Sequence, residues 1–245
     1  MASFAPETIF YFGSFPVTNT VINTLVVDSG LIGAAYYLKN NLKKVPRIFQ
    51  NLIEIVIESF YEMTEAISGK NAAKIFPFFM SFFLFILVAN WSGLIPGIGT
   101  IGILAPVDHG KTEIIPFIRG ATSDANTTFA LAIFSLLATH ILAIRAVGIG
   151  EYLSRYFSFN PIMLFVGILE IVSEITKLVS LSFRLFGNIF AGEVVLHNVS
   201  SLFAFLAPVP FLLLEIIVGL VQALVFSMLT MVFMSILMTP HATEH

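Results

Sequence analysis

Ionisable and amide side chains recur at helical spacing in an otherwise apolar stretch of the chain: Glu170, Glu174, Lys177, Arg184 and Asn188. At 3.6 residues per turn, their spacing predicts that all five lie on one face of a helix. A guanidinium keeps its proton, and an Arg at the centre of a membrane costs about 2.5–3.5 kcal/mol. Two interpretations stay open for Arg184. It either neutralises a carboxylate such as Glu215 in a packed bundle, or it presents a fixed positive charge to a water-filled path or a mobile partner.

Two further carboxylates lie in apolar sequence. Glu193 follows Arg184 by nine residues, which is about half a turn around a helix, so the two cannot pair on the same helix. Glu215 and Gln222 are seven residues apart on the last apolar segment and share a face. Buried carboxylates on facing helices are typical of proton relays. The amides of Asn188 and Gln222 suit either the lining of an aqueous channel or a clamp between two helices.

Glu170, Glu174 and Lys177 permit a different interpretation. Both carboxylates lie near the expected inner end of the helix, where water can solvate them, and Lys177 is close enough in sequence to pair with one of them. These three residues either line an inner path for ions or serve a structural role.

The composition excludes several classes of function. Charged residues make up 11% of the 245 residues and hydrophobic ones 57%, whereas a soluble domain carries about 25% charged residues. The chain has no Cys and a net charge of −3, which indicates neither thiolate chemistry nor a nucleic-acid partner. No nucleophile–base or metal-ligand set has suitable spacing, and His140 stands alone on an apolar segment as a packing or hydrogen-bonding residue. We expect a non-catalytic membrane protein without a metal or cofactor.

Long charge-free runs locate the elements that must position these side chains. A membrane-spanning helix needs about 20 apolar residues, and continuous runs favour helices over barrel strands. The expected fold is an all-α polytopic membrane protein, a single membrane domain over 1–245, with about five membrane-embedded helices and one amphipathic surface helix. The predicted segments are a helix over 17–38, the amphipathic helix over 46–68, a helix over 75–95, an outer loop over 96–124, and helices over 125–147, 161–199 and 211–238.

The last two predicted helices are too long to cross a membrane upright. A continuous helix over 161–199 would extend about 58 Å, while the hydrocarbon core is about 30 Å thick. We therefore expect a long, steeply inclined hairpin, with a turn at Pro208 and Pro210. The distribution of Lys and Arg between the loops predicts that the N-terminus is outside and the C-terminus is cytoplasmic.

The run from Ser180 to Glu193, SLSFRLFGNIFAGE, resembles the signature of subunit a of the F-type ATP synthase. Weaker similarities to that family extend over nearly the whole chain. They are Val45-Pro46 through Ile57, Asn90-Trp91 through Pro96, Asp124 through Thr128, Leu169-Glu170 with Lys177, and Gln222 through Phe226. The sequence departs from some members at two positions, with Glu at 215 where certain members have His and Gly at 93 where some have an acidic residue.

The resemblance implies a role for each of the matching residues. Arg184 would be the stator cation that faces the ring of c subunits, with Asn188, Glu193, Glu215 and Gln222 in an outer half-channel and Glu170 towards an inner one. The partners implied are the c-ring, the peripheral-stalk b subunits, the rest of the ATP synthase and the lipid bilayer, with no nucleic acid. The distribution of Lys and Arg favours a bacterial plasma membrane over that of an organelle. The ion implied is a proton or sodium, depending largely on the c subunit. The alternative function is a proton-coupled secondary transporter, although the chain shows no internal repeat.

Overall fold

The computed structural model describes residues 6–46, 48–95, 97–98, 101–107, 111–157, 160–202 and 208–239. Helices account for most of them. Their bounds are α1 Asn19–Asn41, α2 Ile48–Ser68, α3 Ala72–Ser92, α4 Ala125–Val147, α5 Ile149–Tyr156, α6 Pro161–Leu202 and α7 Pro208–Met238. Two antiparallel hairpins complete these elements, formed by β1 Thr8–Phe12 with β2 Phe15–Thr18 and by β3 Gly102–Val107 with β4 Lys111–Pro116.

Both hairpins are additions to the predicted fold. The second lies in the segment over 96–124 that the sequence analysis assigned to an outer loop. Within that segment, residues 96, 99–100 and 108–110 lie outside the described residues, including Pro96 of the family motif.

The described residues form two compact units. The first draws on residues 1–40, 83–128 and 183–224. Polar side chains join its elements. Thr20 of α1 donates a hydrogen bond to Asp124 (3.0 Å), just before α4. Asn23 of α1 donates both to the Ser92 hydroxyl and to the Arg119 carbonyl oxygen, each at 2.8 Å. Because these groups are largely buried, their hydrogen bonds offset the cost of removing them from water.

The second unit draws on residues 41–82, 129–182 and 225–245. Its core is apolar, with fully buried Ile75 and Phe79 of α3 packed against Ala138 of α4 and the methionines Met231, Met234 and Met238 of α7. Phe60 and Met63 of α2 contact the same core, while the α2 glutamates are exposed. The helix over Ile48–Ser68 therefore contacts the core through Phe60 and Met63 near its C-terminal end, whereas most of its other apolar residues, such as Leu52 and Val56, are exposed.

Among the described residues, four helical stretches are long and apolar enough to cross a membrane: Asn19–Asn41, Ile48–Ser92, Ala125–Val147 and Pro208–Met238. This confirms the prediction of an all-α polytopic membrane protein. Helix α6 has 42 residues and α7 has 31, which correspond to lengths of about 63 Å and 46 Å. They contact each other within each unit, through Asn188 with Gln222 in the first and Lys177 with Phe233 in the second. The inclination of this hairpin in a membrane remains a prediction.

Candidate functional site

Helix α6 turns a mixed stripe outward in the first unit. Phe183, Arg184, Asn188, Ala191 and Val195 are all exposed, and their spacing follows one face of the helix. Arg184 therefore shares this exposed face of α6 with the apolar side chains of Phe183 and Val195. A permanent cation on such a surface is costly in lipid.

One residue along this stripe is fixed by a hydrogen bond to α7. The Asn188 amide nitrogen donates to the Gln222 side-chain oxygen at 2.7 Å. Gln222 is 4% exposed, and Asn188 lies at the edge of the helix pair. From the sequence alone, these two amides suit either the lining of a channel or a clamp between two helices. The structure brings them together directly, at the border between the exposed stripe and the buried face of α7.

Glu193 is paired with a residue that the sequence analysis did not select. The Arg119 guanidinium lies 3.3 Å from the Glu193 carboxylate, and the two side chains are 13% and 25% exposed. The Arg119 carbonyl oxygen in turn accepts the hydrogen bond from Asn23 of α1. Gly120 approaches the same carboxylate so closely that a Cβ there would stand 3.0 Å from Glu193 Oε1. The segment before α4 therefore carries both the counter-charge of Glu193 and one wall of its pocket.

Glu215 lies against the helical turn that carries Glu193. A Cβ on Gly192 would stand 2.8 Å from Glu215 Oε1, so the absence of a side chain at Gly192 is what admits this carboxylate. Glu215 is 4% exposed. Within the part of the chain that the structure describes, neither of its carboxylate oxygens has a hydrogen-bond partner. Arg119, Glu193, Glu215, Asn188 and Gln222 are called the carboxylate cluster below.

A buried amide holds the elements around the carboxylate cluster in register. Asn90 of α3 donates to the Gly219 carbonyl oxygen of α7 at 2.9 Å and accepts from the Thr122 hydroxyl at 2.6 Å. The neighbouring Trp91 indole donates to the Ile216 carbonyl oxygen at 3.1 Å. These bonds fix α7 and the segment before α4 to α3, and with them Glu215 and Arg119. The absence of a side chain at Gly93 allows the end of α3 to lie close to the segment before α4, since a Cβ there would stand 3.0 Å from the Gly120 Cα.

The remaining predicted residues form ion pairs in the second unit. Lys177 donates to Glu174 at 2.8 Å, and its ammonium lies 4.8 Å from the ring centre of Phe233. Glu170 lies 3.7 Å from the guanidinium of Arg155 on α5. Glu174 is buried and Glu170 is partly buried. Both carboxylates are therefore paired with cations, and Glu174 is removed from bulk water.

His140 is a hydrogen-bonding residue, in agreement with one of the two roles expected for it from the sequence. Its Nδ1 lies 2.8 Å from the Tyr152 hydroxyl, and its Nε2 lies 3.9 Å from Glu174 Oε2. The ring of Tyr152 also packs against that of Tyr156 at 5.3 Å between centres. Burial raises the pKa of the Tyr156 hydroxyl on α5, so this hydroxyl keeps its proton. Tyr152, His140, Glu174 and Lys177 are called the α4–α6 cluster below.

No group of three His, Cys, Asp or Glu side chains suited to a metal ion occurs among the described residues. The described groups can bind protons and hold charge: two buried or half-buried carboxylates, an exposed arginine, and a separate set of hydrogen-bonded titratable groups.

Comparison with known proteins gives one consistent result. The family model described as ATP synthase A chain matches residues 18–235. The ATP synthase subunit a of Moorella thermoacetica is 32% identical over 235 residues, which cover 96% of this chain and 97% of that protein. Both matches include the helices that carry the carboxylate cluster and the α4–α6 cluster.

Proposed function

The chain belongs to the ATP synthase subunit a family, and on this premise we propose that it conducts protons through two offset half-channels at the interface with the c-ring of a rotary F-type ATP synthase. Membership of the family makes it a multi-pass membrane subunit of the ATP synthase complex. In the proposal the chain performs no covalent catalysis itself. It couples an ion gradient to the synthesis of ATP in the catalytic head.

The observation that carries the proposal is the exposed side chain of Arg184, which shares a face of α6 with the apolar residues Phe183 and Val195. A rotor carboxylate that faces a permanent cation is favoured in its ionised form, and it therefore releases its proton there. The same charge repels a proton that would otherwise pass straight through. Arg184 in this role separates the two half-channels. One charge that moves through 100 mV gains about 2.3 kcal/mol, so several steps together drive the synthesis of one ATP.

The carboxylate cluster is proposed as the outer half-channel. Glu193 and Glu215 carry the proton, since both are carboxylates in adjacent positions on facing helices. Asn188 and Gln222 connect this site with the face that carries Arg184, because their hydrogen bond joins a buried residue of α7 to an exposed residue of α6. Amides can donate and accept hydrogen bonds without a change of charge. They therefore suit a passage between two titrating sites.

Glu170 is proposed to lie on the inner half-channel, with Glu174 and Lys177 beside it. The Lys and Arg distribution supports an N-terminus outside and a cytoplasmic C-terminus in a bacterial plasma membrane. The proposed partners are the c-ring on the Arg184 face, the b subunits of the peripheral stalk and the rest of the complex. No nucleic acid takes part.

Substitution of Arg184 tests the proposal. In liposomes that contain the whole complex, Arg184→Ala should abolish ATP-driven proton pumping and proton-driven ATP synthesis. Hydrolysis of ATP by the detached catalytic head should continue, because that head does not depend on α6. Arg145→Ala provides a control, since Arg145 is an exposed cation at the end of α4. Coupled synthesis that survives in Arg184→Ala would overturn the proposal.

A further inference from the structure

Three helices of the second unit meet in a chain of groups that can each carry a proton. The Tyr152 hydroxyl of α5 lies 2.8 Å from His140 Nδ1 on α4. On the other side of the same ring, His140 Nε2 lies 3.9 Å from Glu174 Oε2 on α6. The second carboxylate oxygen accepts from Lys177 at 2.8 Å. The imidazole thus lies between a phenol and a carboxylate, with one ring nitrogen turned to each.

The exposure of these groups to solvent increases from Glu174 towards Tyr152. The Glu174 side chain is 9% exposed and the His140 side chain is 22% exposed, and Tyr152 is partly exposed. Beside Glu174, a cavity of about 10 Å³ is lined in part by Ser135, Thr139 and Lys177, a space near that of a single water molecule. A buried acid is therefore linked through one ring to a residue near the surface.

Imidazole has the chemistry to connect its two neighbours. It can accept a proton at one ring nitrogen and release another from the opposite nitrogen. The 3.9 Å between His140 Nε2 and Glu174 exceeds the usual hydrogen-bond length of about 3.2 Å. Transfer across it therefore requires a small rotation of the ring or a bridging water.

We propose that Glu174, His140 and Tyr152 form a proton-transfer chain that serves the inner half-channel. The inference rests on the function proposed above. A proton that arrives at the Glu174 carboxylate passes to His140 Nε2, the Nδ1 proton passes to the Tyr152 oxygen, and the Tyr152 proton leaves to water. One proton enters and one leaves, so no charge accumulates. The imidazole ends with its proton on Nε2 and returns to the Nδ1-protonated form, by rotation of the ring or exchange with water, before the next transfer. The same steps run in reverse when the complex pumps. Lys177 holds the Glu174 carboxylate in place.

A structural clamp between α4, α5 and α6 would use the same contacts, and His140→Asn separates the two roles. The Asn side chain keeps an amide near the position of Nδ1 that can hydrogen-bond with the Tyr152 hydroxyl, but an amide does not take up and release protons. A clamp predicts normal flux in this variant, whereas a proton-transfer chain predicts a large loss. Tyr152→Phe removes the phenol at the end of the chain. Tyr61→Phe is its control, because Tyr61 is an exposed residue of α2 that packs on Phe76.

The experiment uses the whole complex in liposomes, freed of its catalytic head, with proton flux driven by a potassium diffusion potential. His140→Asn and Tyr152→Phe should each lower the flux by about tenfold or more, while Tyr61→Phe should not. In His140→Ala, imidazole added to the buffer should restore flux, because the small molecule replaces the missing ring. Immunoblots of the purified complex check that each variant is assembled.

A wild-type rate of proton flux in assembled His140→Asn or Tyr152→Phe would overturn the proposed proton-transfer chain. Flux in His140→Ala that stays low with imidazole would do the same, because the histidine would then act as a clamp. If His140→Ala does not assemble, the two conservative variants decide. Arg184→Ala in the same liposomes, with the catalytic head attached, separates this inference from the proposed function. Coupled pumping in Arg184→Ala would refute the proposed function. Loss of pumping in Arg184→Ala together with normal flux in His140→Asn would refute only the proton-transfer chain.

Discussion

The guanidinium of Arg119 lies 3.3 Å from the carboxylate of Glu193, although 74 residues separate them in sequence. Arg119 belongs to the segment before α4, and Asn23 of α1 binds its carbonyl oxygen. Glu193 of α6 therefore has its counter-charge on the segment before α4, and a hydrogen bond from α1 holds that segment in place. In the proposed outer half-channel, this counter-charge sets the orientation of the carboxylate that receives the proton.

Arg119→Ala should destabilise the chain and slow proton transport. Both side chains are largely buried, at 13% and 25% exposed, so the substitution would leave the carboxyl of Glu193 without its counter-charge in a desolvated site. A buried polar group left unsatisfied costs about 1–3 kcal/mol. We expect a loss of that size in the free energy of unfolding and slower ATP-driven pumping. Arg119→Lys should restore part of both, since it keeps the charge but not the planar fork.

Thermal unfolding of the purified complex and fluorescence quenching in liposomes measure the two effects. Arg145→Ala again serves as the control, because it removes an exposed Arg at the end of α4. Equal stability and equal pumping in Arg119→Ala and the wild type would show that the ion pair contributes nothing.

Gly192→Ala should separate activity from stability. A Cβ at this position would stand 2.8 Å from Glu215 Oε1, the far end of a flexible side chain, so the carboxylate can move aside at little cost. In a helix, Ala is more stable than Gly by up to about 1 kcal/mol. We therefore expect unchanged or slightly raised thermal stability but a severalfold slower rate of ATP-driven pumping, because Glu215 no longer lies beside Glu193.

The control for this substitution is Gly33→Ala on α1, where a Cβ would have nothing within 4 Å. It carries the same change in helix propensity without displacing a carboxylate. Pumping at the wild-type rate in Gly192→Ala would contradict the role given to the position of Glu215.

The helices could be predicted because apolar runs and charge-free intervals are local properties of the chain. The exact ends could not. Helix α7 begins at Pro208, where the sequence analysis expected a turn, because a Pro is tolerated in the first turn of a helix. The hairpin of β3 and β4 lies in a segment rich in Gly and Pro, a composition that indicates loops and turns equally well.

Contacts between helices were beyond the reach of helical spacing. Periodicity relates residues on one helix, so it placed Asn188 on the stripe of Arg184, and Gln222 on a face with Glu215. It could not identify Arg119 as the partner of Glu193, nor connect His140 with Tyr152. The signals available were weak. Arg119 is a cation that follows a segment rich in Gly and Pro, and His140 is a lone His in an apolar run.

Gly167→Ala should destabilise the junction between α5 and α6. A Cβ on Gly167 would overlap the carbonyl oxygen of Tyr156, and a backbone atom cannot turn aside as a side chain can. Overpacking of this kind costs about 1–3 kcal/mol. Helix α5 would then shift away from α6, which would weaken the contact of Arg155 with Glu170 (3.7 Å). Thermal unfolding should show a lower midpoint for this variant than for Gly150→Ala on α5, where a Cβ would meet nothing within 4 Å. If both variants unfolded at the same temperature, the close approach of α6 to the end of α5 would not be a tight contact.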